Sequence, residues 1–71
     1  MSMTERIRIL LVKHGNMSEA EFARKIGQSP QNFHNKMKRD NFNEEDLTQM
    51  AAALNCDLKI SFIDKTTNEE V

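Results

Sequence analysis

Between Gln28 and Arg39 the chain sets amides beside cations: Gln28, Gln31, Asn32 and Asn35 run into Lys36, Lys38 and Arg39. A Gln or Asn amide presents a donor and an acceptor in one plane. It can pair with adenine N6 and N7 together, a contact worth ~1–3 kcal/mol of base discrimination. Ammonium and guanidinium groups bind phosphate whatever the base. A helix surface with no task is usually filled with Glu, Lys and Ala, so four amides between Gln28 and Asn35 are a chemical signal. The competing reading is a solvated polar face. The other reactive residue types do not assemble. His14, His34 and Cys56 share no zinc-ligand spacing. Cys56, between Asn55 and Asp57, has no evident His partner and reads as a small buried filler. His34 reads as a phosphate contact or a plain surface residue. Glu44, Glu45 and Asp46 read as the first turn of a helix, where they complement its dipole, and not as an acid–base pair. No catalytic residue, metal site or cofactor is expected.

Size agrees with that exclusion. A chain of 71 residues is expected to form one domain with a thin core, with little room for a substrate pocket of roughly 300 Å³ or more. The single Cys excludes an internal disulfide, no apolar run approaches a membrane span, and the first residues lack the layout of a signal peptide, so a cytoplasmic protein is expected. Ten basic against eleven acidic side chains give a net charge of −1, which argues against a nucleic-acid partner only until the chain is divided. Residues 1–39 hold eight basic and three acidic side chains, a balance of +5, and residues 40–71 hold two and eight, a balance of −6. A basic half of this kind suits a polyanion.

The elements that position these residues are short helices. Ser2 with Glu5, and Ser18 with Glu21, are capping boxes, with Thr4 a competing cap for the first helix. Ile7, Leu10 and Leu11 give the first apolar stripe, and Gly15 its stop; Phe22, Ala23 and Ile26 give the second, and Gly27 its stop. Ser29 with Pro30 starts a third helix, with Phe33 and Met37 facing inward. Asn43 starts a fourth, with Leu47, Met50, Ala51 and Leu54 as its apolar face and Asn55 as a left-handed stop. Leu58-Lys59-Ile60-Ser61-Phe62 alternates apolar with polar and predicts a half-buried strand over residues 58–64; residues 65–71 read as a flexible tail.

The run from Ser18 through Phe22, Ala23, Gly27 and Ser29 to Phe33 resembles the helix-turn-helix of the Cro/repressor type, whose pattern is S/T-x-x-E-L-A-x-x-[LIM]-G-x-[ST]-x-x-x-[apolar]. The resemblance spans residues 4 to about 56. It implies an all-α fold: a compact, repressor-like domain of four to five helices, here with a short C-terminal β-strand appended. It implies sequence-specific binding of double-stranded DNA by a transcriptional regulator, a repressor by expectation, with the helix 30–38 in the major groove. On that basis Gln31, Asn32 and Asn35 would touch base edges, and Ser29, Lys36, Lys38 and Arg39 the backbone. Three positions depart from the pattern. Lys36 stands where the family has an apolar residue, Asp40-Asn41 must make a turn usually made by Gly, and Glu19 places a carboxylate near the expected phosphate path.

A lone strand leaves its backbone unpaired. Residues 1–57 thus read as the DNA-binding domain and 58–64 as a dimerisation element, in which Leu58, Ile60 and Phe62 pair with a second copy in a homodimer. Folding back over the helices in a monomer is the alternative. A rival functional reading is the same fold used as a protein-interaction module, to which the acidic second half and Glu19 would belong.

Overall fold

Each helix begins at a side chain that accepts a hydrogen bond from the backbone N–H three residues on. In the computed structural model, which describes residues 1–71, these helices are α1 (Met3–Lys13), α2 (Glu19–Lys25), α3 (Pro30–Arg39) and α4 (Glu44–Ala53). Ser2 caps α1 through Glu5 N–H at 3.1 Å, Ser18 caps α2 through Glu21 N–H at 3.1 Å, and Ser29 caps α3 through Asn32 N–H at 3.1 Å. Asn43 caps α4 through Asp46 N–H at 2.7 Å, and the Asp46 carboxylate accepts from Asn43 N–H in return. Each cap contributes ~1 kcal/mol by satisfying donors that a helix start leaves free.

The stops are equally local. Gly27, Asp40 and Asn55 lie in the left-handed region at φ +78°, +52° and +55°. After each of them the chain donates back across the last turn: Gln28 N–H to Ala23, Asn41 N–H to Lys36, and Cys56 N–H to Ala51. These are Schellman closures, in which glycine or a short polar residue tolerates the backbone that other side chains resist. Asp40 therefore makes the turn for which the chain carries no glycine.

The core is built from Ile7 and Leu11 of α1, Phe22 and Ala23 of α2, Phe33 and Met37 of α3, and Met50 of α4 with Leu54 at its C-cap. Phe22 and Phe33 are fully buried, their rings 5.7 Å apart and edge to face at 82°. Ala23 is fully buried beside them, where its small side chain admits the close approach of α2 and α3. Leu10, Ile26 and Leu47, read as inward-facing, are half-buried at the core's margin. Thr4 is a clasp instead of a cap. Buried to 6% exposure, it donates its hydroxyl to the Met37 carbonyl at 2.7 Å and its N–H to Asp40 Oδ1 at 2.8 Å, fastening the start of α1 to the end of α3.

The predicted C-terminal strand is not formed as such. Residues 58–64 form no strand and carry a single antiparallel bridge, Ile63 to Glu70. The tail supplies that partner by folding back: Asp64 Oδ1 accepts from Thr66 N–H, Val71 N–H donates to the Phe62 carbonyl, and Lys59 pairs with Glu70 at 2.8 Å. The fold-back bridges Ile63 to Glu70 and leaves Leu58–Ser61 outside any ladder, so alternation fixes a face without completing a sheet. Ile60, Phe62 and Ile63 remain exposed, and with this segment the molecule measures 42 × 24 × 19 Å. No helix is long and apolar enough to cross a membrane.

Candidate nucleic-acid interface

Helix α3 is held from below and open above. Phe33 and Met37, four apart, are buried against the other helices. Gln31, Asn32, His34, Asn35, Lys38 and Arg39 are all exposed. One stripe of the helix thus packs and the rest faces water, as the 3.6-residue period dictates. Ser29 and Pro30 fix where the helix starts. The Ser29 hydroxyl accepts from Asn32 N–H, so its capping role is present in the structure.

The amides are oriented by their neighbours. Gln31 Nε2 donates to Asn35 Oδ1 at 3.4 Å, one turn along the same face. Asn32 and Asn35 border an open polar cleft of about 280 Å³ between α3 and the start of α4, with Arg39, Asn41 and Asn43 on its other sides and no apolar residue in its lining. Asn41 and Asn43 were not singled out by sequence as site residues. They reach the cleft because Asp40 reverses the chain, an effect that only the turn geometry reveals.

Lys36 differs from its expected phosphate-contacting role. Its Nζ lies 2.8 Å from Asp46 Oδ1, with the two side chains 29% and 11% exposed. The ammonium is committed to the α4 cap, which explains how a charged residue occupies a position where an apolar one is usual. Burial raises the Asp46 pKa, but the Lys36 hydrogen bond, the Asn43 N–H and the Lys36 charge outweigh it, holding the carboxyl below the usual aspartate value. The remaining cations of the last turn, Lys38 and Arg39, form no ion pair and are exposed.

Three carboxylates stand on the neighbouring helices, outside the lining of the amide cleft. Glu44 and Glu45 are exposed in the first turn of α4. Glu19 is half-buried, and its Oε1 is shielded from solvent without a hydrogen-bond partner, as is Gln28 Oε1. Leu58, Ile60 and Phe62 lie apart from the amide face on the C-terminal segment, 38%, 57% and 79% exposed.

No three His, Cys, Asp or Glu side chains converge in a way that could hold a metal ion. Cys56 does have a histidine neighbour, contrary to the sequence reading: its Sγ lies 3.8 Å from His14 Nε2. The two are separated by 42 positions, so no spacing rule could have paired them. Compared with protein-family models, curated proteins and solved structures, the chain finds a match in none of the three.

Proposed function

We propose that this chain binds double-stranded DNA in a sequence-specific manner as a small transcriptional regulator, a repressor by role, with α2 and α3 acting as a helix-turn-helix. The observation that carries the reading is the exposed amide face of α3, anchored by Phe33 and Met37 and followed by the unpaired cations Lys38 and Arg39. An α-helix with its side chains is about 10–12 Å across, and a major groove about 12 Å wide admits it. Gln31, Asn32 and Asn35 read base edges in this proposal; Ser29, Lys38 and Arg39 hold phosphates. Lys36 acts through Asp46 by keeping α3 seated. Two copies joined through Leu58, Ile60 and Phe62 would place their reading helices roughly 34 Å apart, one turn of DNA, on a two-fold site. No metal, cofactor or catalysis enters this proposal, and its setting is the cytoplasm.

Selection from a random duplex pool, followed by salt titration of the winning sequence, tests it. With four to six phosphate contacts per dimer, affinity should fall roughly 10²–10³-fold between 50 and 200 mM salt. Gln31→Ala and Asn32→Ala should each relax base choice by about 1–3 kcal/mol at one position, whereas Lys38→Ala should weaken all duplexes alike and flatten the salt slope. A chain that enriches no duplex, or amide variants that bind as the parent does, would overturn the reading. The second reading, a protein-interaction module, draws on Glu44 and Glu45 standing exposed in the first turn of α4. It predicts binding to a basic partner and no duplex enrichment.

A further inference from the structure

Cys56 and His14 form a pair outside the DNA-binding reading. His14 is the C-cap of α1, and Cys56 follows the left-handed stop of α4; the Schellman bond from Cys56 N–H to the Ala51 carbonyl, at 2.8 Å, fixes its backbone. The thiol sits 3.8 Å from His14 Nε2 and 3.4 Å from the Leu54 carbonyl. It also borders an apolar cleft of about 170 Å³ between α1 and α4, walled by Leu10, Leu47, Met50 and Leu58. A nucleophile at the wall of an apolar recess thus has an imidazole nitrogen within reach from outside that recess. Arg6 and Asp57 are the charged residues of the same cleft, and Glu44 borders a second cleft on the other side of Cys56.

We propose that Cys56 is a covalent modification site for α,β-unsaturated carbonyl compounds bearing a short apolar group, with His14 as proton acceptor and donor. The Sγ–H proton passes to Nε2 and the sulfur lone pair bonds to the β-carbon. The carbon–carbon π pair moves to the α-carbon and carbonyl as an enolate, and the imidazolium returns the proton to the α-carbon. Atoms and charge balance without an oxidant. The apolar group would lie against Leu10 and Leu58, where the C-terminal segment leaves the helices. None of this rests on DNA binding.

The test uses the intact protein with N-ethylmaleimide and, separately, a maleimide carrying a carboxylate, followed by intact mass over time. The parent should react with N-ethylmaleimide about tenfold faster than His14→Gln at pH 7. Far-UV circular dichroism of His14→Gln should match the parent, since His14 is exposed. Leu58→Ser, on the exposed segment, should erase the preference for the ethyl over the charged reagent while keeping the His14 dependence. Equal rates for the parent and His14→Gln, or a parent no faster than N-acetylcysteine, would overturn the proposal.

Discussion

Replacing Asp46 by Ala removes two bonds at once and should be among the costliest polar substitutions in the chain. Asp46 closes the α4 capping box by accepting from Asn43 N–H, and it pairs with Lys36 at 2.8 Å while only 11% exposed. Loss of the reciprocal cap is worth ~0.5–1 kcal/mol. The ion pair lies between an exposed pair worth ~0–1 kcal/mol and a fully buried one whose breakage costs ~3–5 kcal/mol. Lys36, at 29% exposure, can swing toward water once unpaired, which places its share at about 1–2 kcal/mol. The sum, about 1.5–3 kcal/mol, is a large part of the ~4–10 kcal/mol expected for a domain of this size. It should lower the melting temperature by on the order of 10–20 °C in calorimetry. The pairing itself is isolated by a double-mutant cycle of Lys36→Met and Asp46→Asn, with a coupling of at least about 1 kcal/mol. Since the folded carboxyl titrates below its unfolded value, its contribution is fully present above pH ~4 and disappears as pH falls through the lower folded pKa. The stability gap between the parent and Asp46→Asn should therefore be flat from pH ~5 to 8 and close below pH ~4. A coupling under about 0.3 kcal/mol, or a gap that widens in acid, would refute the assignment.

Thr4→Val keeps the shape of the α1–α3 clasp but deletes the hydroxyl bonded to the Met37 carbonyl; a loss of about 1–2 kcal/mol in urea unfolding is expected, largely restored by Thr4→Ser. Phe33→Ala empties a fully buried site at the α2–α3 contact, and at about 3–5 kcal/mol it should leave the chain mostly unfolded by circular dichroism at 37 °C. On the surface, the Lys59 hydrogen bond, with a second from Ser61, holds the Glu70 carboxyl below the usual glutamate range despite some desolvation. Lys59→Gln should raise the Glu70 midpoint in a carboxyl-carbon NMR titration; an unmoved midpoint would show that the tail does not fold back onto Lys59 in solution.

What the sequence discloses here is what can be encoded within a few residues. Ser2, Ser18, Ser29 and Asn43 each act on an N–H three positions away, and Gly27 and Asn55 each end the helix just before them. The apolar stripes follow from helical period, so Phe22, Phe33, Met37 and Met50 are legible as core. The amide face of α3 is legible for the same reason: whatever Phe33 and Met37 leave uncovered must face water. The less legible features are pairings across the fold. Lys36 could be recognised as structural only after α4 brings Asp46 beside it. Thr4 looks like a cap until Asp40, 36 positions later, turns toward it, and Cys56 looks isolated until α1 delivers His14. The strand failed differently. Alternation reports which side chains share a face, but a sheet also needs a neighbour, and the one pairing formed is the bridge of Ile63 with Glu70.

The four side-chain caps and the left-handed stops have a kinetic consequence. Because each helix carries its own start and end signals, most of the ordering precedes any docking, and the contacts that must form at long sequence separation are few. Chains of this kind fold in microseconds to milliseconds. The docking of Phe22 on Phe33 joins adjacent helices across a short loop, so it should lie in the folding nucleus, and substitutions there should slow folding. The Thr4–Asp40 and His14–Cys56 contacts close loops of 36 and 42 positions and should form late. Substitutions at them should chiefly accelerate unfolding, so the ends of the helical unit, not its centre, set how long a folded molecule persists.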